Sequence, residues 1–183
     1  MTADRRRSPL GGFATAFARL DTGSGGRLRI AERPYPRQLD VRAEPTARAA
    51  AEAAVGMALP STPNRINRSG DRTALWLGPD EWLVVGGGGD VPAVPESAGW
   101  GLVDVSAQRT AVVLSGTAVE LLAYGCALDL DRMGPDWCAQ TTLARAGVIL
   151  WDSATDEICV LVRASFAAYL AAWLLDAATE LIG

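Results

Sequence analysis

The sequence predicts an α+β fold built of two small antiparallel-sheet halves with helices packed on one face. Three observations carry that expectation. Short alternating or apolar segments arrive in pairs and triplets, not singly between helices as in a parallel α/β chain. Only three stretches have helical character. Apolar residues make up 49% and charged residues 21% of 183 positions, the balance of an ordinary globular domain. A chain of this length buries roughly 70% of its extended surface, enough for a core without disulfides or metal.

In chain order, residues 1–26 read as a flexible, irregular N-terminal arm ending in Thr22-Gly23-Ser24-Gly25-Gly26. Residues 27–183 read as one domain with sub-halves 27–90 and 100–183. Leu28–Glu32 and Gln38–Arg42 alternate as strands, with Pro34 and Pro36 forcing an extended link between them. Glu44-Pro45 opens an alanine-rich helix over Ala47–Val55, and Gly56 ends it. Leu59–Asn64 reads as loop. Thr73–Leu77 and Glu81–Val85 flank Gly78-Pro79-Asp80 as a hairpin. Gly86–Gly89 is a linker by composition, and the proline-punctuated Val91–Ser97 joins the halves.

The second half is denser. Gly101–Ser106 and Thr110–Leu114 are strands about a short turn. A helix capped by Ser115 or Thr117 runs to about Tyr124 before Gly125. Ala139–Arg145, Val148–Trp151 and Glu157–Val162 are further strands. The last helix shows Phe166, Tyr169, Leu170, Trp173, Leu174, Ala177 and Leu181 at helical spacing, a stripe expected to close the core. The two halves loosely resemble one another, which allows a pseudo-repeat.

Composition excludes more chemistry than it offers. The chain has no histidine, and all 17 basic residues are arginine. The commonest general base and metal ligand, and the lysine of Schiff bases and phosphate loops, are therefore missing. A net charge of −4 argues against a nucleic-acid footprint, and Arg5–Arg7 reads as part of a solvated end. No uncharged run exceeds 12 residues, too short to span a bilayer, and no export signal follows the N-terminal arginines, so the expectation is a cytoplasmic protein. Cys126, Cys138 and Cys159 are widely spaced, as reduced buried thiols are.

Four constellations stand out. Asp104 with Arg109 suits either a ligand-orienting pair or a turn cap. Asp129 and Asp131 alternate with leucines, as solvent-exposed groups or paired carboxylates. Cys138 has nothing within sequence reach to activate it. The six tryptophans divide between core and interface roles. Trp82, beside Asp80 and Glu81 at a hairpin tip, is the first interface candidate, and Trp76 and Arg109 are further ones.

Several strings taken together are familiar. Arg7-Ser8-Pro9-Leu10, Glu32-Arg33-Pro34, Gln38-Leu39-Asp40-Val41-Arg42 and Leu59-Pro60 with Pro63-Asn64 come first. Leu75-Trp76-Leu77-Gly78-Pro79-Asp80-Glu81-Trp82-Leu83-Val84-Val85 follows, then Val103-Asp104-Val105-Ser106 with Arg109-Thr110, and Leu114-Ser115-Gly116. Gly125-Cys126-Ala127-Leu128-Asp129-Leu130 and Cys138-Ala139-Gln140-Thr141 complete the series. In this order and spacing the chain resembles, over nearly its whole length, the gamma subunit family of heterotetrameric sarcosine oxidases.

The resemblance implies the folate-binding fold of glycine-cleavage aminomethyltransferases. It implies complexes that demethylate sarcosine oxidatively to glycine and pass the one-carbon unit to tetrahydrofolate. Alpha, beta and delta partners then carry FAD, FMN, NAD and zinc, and this chain supports assembly without catalytic, cofactor-binding or metal-binding residues of its own. The alternatives are a stand-alone folate-dependent one-carbon enzyme, drawing acid–base groups from Asp104 or Asp129, and a folate-binding scaffold.

Overall fold

A computed structural model describes residues 7–34, 36–95 and 99–182. Helix α1 (Ala14–Gly23) precedes strands β1 (Leu28–Arg33) and β2 (Gln38–Ala43). Helix α2 (Arg48–Val55) and strands β3 (Ile66–Ser69), β4 (Arg72–Gly78) and β5 (Glu81–Gly86) follow. Then come β6 (Trp100–Asp104), β7 (Arg109–Gly116), α3 (Ala118–Ala123), β8 (Cys138–Leu143), β9 (Ala146–Ala154), β10 (Glu157–Arg163) and α4 (Ala167–Ile182).

The strands form two five-stranded sheets, in the orders β3-β4-β5-β2-β6 and β8-β9-β10-β7-β1. Every pairing is antiparallel. After α1 the element order ββαβββ occurs twice, and α4 closes the chain. Each repeat builds four neighbouring strands of its own sheet, and its first strand leaves to become the outer strand of the other sheet. Thus β1 lies on β7, with Leu28 opposite Gly116, and β6 lies on β2, with Leu39 opposite Asp104.

This exchange corrects the expected sub-halves 27–90 and 100–183, whose boundaries cut across both sheets. It also corrects the expected turn between Gly101–Ser106 and Thr110–Leu114, which is a crossing from one sheet to the other. Pro34 and Pro36 give a physical reason on the first side: a link with two fixed φ angles and two missing donors cannot fold into a tight hairpin.

Each sheet carries helices on one face and meets the other sheet with its second face, so the expected architecture holds sheet by sheet. Leu75, Leu83 and Val85 from one sheet pack against Ile149, Trp151 and Leu161 from the other. On the outer faces, α2 covers Leu39, Val41 and Trp82, while α1, α3 and α4 cover Ile30, Leu114, Leu150 and Val160. Each such leucine or isoleucine contributes about 1.5–3 kcal/mol by leaving water. Gly56 ends α2 in the left-handed region at φ +68°, as its type predicts.

The irregular-arm expectation is corrected over the described part of residues 1–26. Phe13, Phe17 and Leu20 share one side of α1, and Phe17 and Leu10 are buried against the β1 side of the sheet. A ten-residue helix has little stability by itself, so its docking, not its propensity, makes it form. Met1–Arg6, including Arg5 and Arg6 of the basic run, lie outside the described residues, as do residues 96–98 of the joining segment. Strand β3 was not anticipated either.

Helix α4 forms as expected, but its buried stripe is Ala167, Leu170, Ala171, Leu174, Ala177 and Ala178. Phe166 and Tyr169 are exposed, so the aromatic part of the expected stripe is corrected. The small alanines let the helix lie close to the sheet, and the bulky rings fall beside that seam. With its leading turn, Ala164–Ile182 is long and apolar enough to cross a membrane by length and composition. Its apolar stripe is instead taken up by the sheet. At the exit of α3, a Cβ on Gly125 would sit 2.6 Å from a ring carbon of Trp173, so glycine is what lets α3 and α4 close together.

Because each repeat donates an outer strand to the other, the two sheets are expected to unfold as one unit. Tryptophan fluorescence and far-UV circular dichroism should report coincident guanidinium transitions, and separately expressed halves cut between residues 90 and 100 should not fold. Two resolved transitions would contradict the exchange.

Candidate functional site

The polar residues that the sequence scatters along the chain converge where β6 crosses into β7. The Asp104 carboxylate accepts hydrogen bonds from the Ser106 N–H at 2.9 Å and the Ser106 hydroxyl at 2.6 Å. Those two bonds hold its carboxyl below the ordinary carboxylate range. Ser106 Oγ in turn accepts from the Gln38 N–H at 2.9 Å, and the Val105 N–H donates to the Gln38 carbonyl at 2.9 Å. Gln38 is fully buried and donates its Nε2 to the Arg109 carbonyl at 2.9 Å. On the far side of the crossing, the Gln108 carbonyl accepts from the Ala164 N–H at 3.0 Å.

Strand β1 joins the same hub. Thr110 Oγ1 donates to Glu32 at 2.7 Å, and the Ser8 hydroxyl donates to the other oxygen of that carboxylate. Ser8, Glu32, Gln38, Ser106 and Thr110 thus tie four distant segments together. The sequence reading missed Gln38 and Glu32 as members. An amide and a carboxylate within short alternating strands were the available signal.

Asp104 is therefore a turn cap and is not bonded to Arg109. The Arg109 guanidinium donates to the Gln108 side chain. Burial comes first in lowering its pKa, the nearby Arg163 adds to the shift, and the carboxylates of Asp40 and Glu81 oppose it. Arg42 reaches Glu81 at 2.8 Å and Asp80 at 3.7 Å. Asp40, Asp80, Glu81, Arg42 and Arg109 thus form a charged group at the end of the sheet–sheet seam. The Oε1 of Gln38 and the Oδ1 of Asp40 are buried there without a hydrogen-bond partner among the described residues.

Trp82 requires a correction. It is 1% exposed, donates its indole N–H to the Pro60 carbonyl at 2.8 Å, and lies under the Arg48 guanidinium at 5.3 Å. It follows the turn on β5, but alternation points it into the α2 side of the core, out of a partner's reach. Trp76 is half-buried and packs against both the α2-side core and the core between the sheets.

The other constellations are structural in this geometry. Leu130–Arg132 forms a 3₁₀ turn, so Asp129 and Asp131 do not alternate along an extended segment, and Asp129 pairs with Arg132 at 3.8 Å. Cys138 is buried, its thiol donates to the Trp76 carbonyl at 3.3 Å, and burial pushes its pKa up to about 11. Among the described residues no three Cys, Asp or Glu side chains converge as a metal would require. A cleft of about 710 Å³ lies between Trp137, Leu130, Val119 and the β9–β10 turn, and its Arg68 is already paired with Asp136 and Asp152. A groove of about 740 Å³ runs between α1 and α4.

Comparison with known proteins places this arrangement. The family model for "Sarcosine oxidase, gamma subunit family" matches residues 40–180. The chain is 37% identical to a sarcosine oxidase subunit gamma from Corynebacterium sp. (strain P-1), over 96% of this chain and 91% of that one. This chain belongs to the sarcosine oxidase gamma subunit family. The subunit gamma of Corynebacterium sp. (strain U-96) is 33% identical over the same shares. A chain of the solved heterotetrameric sarcosine oxidase from Corynebacterium sp. U-96 superimposes with a TM-score of 0.83, at 30% identity and 97% coverage of both chains. The glycine cleavage system aminomethyltransferase T from Bartonella henselae shares the fold alone, at TM-score 0.59 and 12% identity over 85% of this chain and 48% of that one.

The buried thiols give a direct check. At pH 8 a thiol with a pKa near 11 is about 0.1% thiolate, so Cys138 should react with a disulfide probe orders of magnitude more slowly in the native chain than in urea. Its neutral form also contributes stability that is present below pH 9 and lost as the pH rises through about 11. Rapid native labelling of Cys138 would contradict its placement.

Proposed function

We propose that this chain is the non-catalytic gamma subunit of a heterotetrameric sarcosine oxidase and that it supports assembly of the complex. One observation carries the reading: a chain of the solved heterotetramer matches this one over 97% of both lengths. The composition agrees with it. A chain without histidine or lysine lacks the usual proton-transfer and amine groups, and its buried cysteine has no activating neighbour.

In this reading, alpha, beta and delta subunits hold FAD, FMN, NAD and zinc and perform the oxidative demethylation of sarcosine to glycine in the cytoplasm. Tetrahydrofolate accepts the one-carbon unit on those partners. Among the described residues the donor set does not fit a zinc site. Its contribution is a rigid body whose shape the hub at the β6–β7 crossing maintains. Asp80, Glu81 and Arg109, with Trp76 beside them, form the part of that surface at the seam that contacts a partner.

The experiment is affinity isolation of the tagged chain from its native host. It should bring down flavin absorbance and sarcosine-dependent oxidation together, whereas the chain purified alone should show no turnover. Turnover by the isolated chain would overturn the reading in favour of a stand-alone one-carbon enzyme.

A further inference from the structure

Among the described residues five large apolar side chains are exposed: Val91, Val103, Tyr124, Phe166 and Tyr169. Two of them, Phe166 and Tyr169, share one face of α4 with Trp173. Phe166, Tyr169 and Trp173 follow one another at i, i+3 and i+7 along α4 and its leading turn, so they form a single ridge. Trp173 is half-buried against Gly125, and the exposed Tyr124 immediately precedes that glycine. Phe166 is 46%, Tyr169 41% and Tyr124 51% exposed. At roughly 200 Å² or more per ring, they leave on the order of 300 Å² of aromatic surface in water, comparable to the largest patch on a typical monomer.

The ridge changes character along the helix. The next positions on the same side are Asp176 and Glu180, both exposed, and among the described residues neither is ion-paired. The face therefore runs about 20 Å from aromatic to acidic at 1.5 Å per residue. Apart from Trp173, which packs against the core beside Gly125, this face is not used by the core, which α4 serves through Ala167, Leu170, Ala171, Leu174, Ala177 and Ala178 on another side. The groove between α1 and α4 lies on yet another side, lined by Leu175, Ala178 and Thr179.

We propose that this face of α4 docks a partner subunit of the oxidase, through a surface that is apolar against Phe166, Tyr169 and Tyr124 and basic against Asp176 and Glu180. The inference rests on the proposed function and adds the location and chemistry of a contact. The charge gradient sets the direction in which the partner lies along the helix. Tyrosine and tryptophan at the centre supply contact area at low entropic cost, and the carboxylates repel a second copy of the same face laid parallel on it.

The test uses the full chain in its native host. A benzophenone amino acid in place of Tyr169 should, on irradiation of the purified assembly, cross-link to a flavin-bearing subunit. The captured peptide should hold apolar residues within a few positions of arginine or lysine. The double substitution Asp176→Arg, Glu180→Arg should lower retention of flavin absorbance on the tagged chain at least tenfold, with the circular dichroism of the free chain unchanged. Cross-linking to a second copy of this chain, or wild-type retention by the double variant, would overturn the docking face while leaving the subunit reading intact. Failure of the wild-type chain to retain any flavoprotein would overturn both.

Discussion

The constraint on which the rest depends is the reciprocal exchange of β1 and β6. Each repeat can complete its sheet only with a strand from the other. Leu28 sits opposite Gly116 and Gln38 hydrogen-bonds to Arg109, so contacts between residues some 70 to 90 positions apart hold both sheets. The exchange presses the inner faces together around Leu75, Leu83, Ile149 and Leu161 and leaves the outer faces to the helices. It also brings four polar segments to one crossing. Buried polar atoms there are costly unless paired, and Gln38, Ser106, Thr110 and Glu32 largely satisfy one another across the seam.

That arrangement explains how the strings that mark the family can be polar without being catalytic. Ser8, Glu32, Gln38, Asp104, Ser106 and Thr110 are occupied in holding the crossing. The charged group next to it, with Arg109 half-buried near Asp40 and Glu81, consists of carboxylates and guanidinium groups and holds no thiol, hydroxyl or imidazole. A body with this interior and an outer helix bearing exposed aromatics is suited to binding.

Much of the local structure was legible in the sequence. The Leu75–Val85 hairpin, the Gly56 helix end and the span of α4 all follow from signals a few residues apart, where turn chemistry and helical period act directly. The exchange was not legible, because alternation shows that Leu28–Glu32 is a strand but not which strand it joins. Helix α1 was hidden for a related reason: its flanking glycines argue for coil, and only docking of Phe17 makes it form. At the site, the Asp104 cap was within reach of sequence, whereas its pairing with Arg109 does not form and Trp82 was misread. A hairpin tip reads as exposed, but the pleat of β5 turns that ring inward to Pro60 and Arg48.

The central claim is that this chain is a structural member of a larger oxidase. Native mass spectrometry of the assembly from its own host tests it most directly. The account predicts one copy of this chain in a complex with three other polypeptides and bound flavin. A spectrum in which the chain occurs only as a free monomer, beside an oxidase complete without it, would contradict the account.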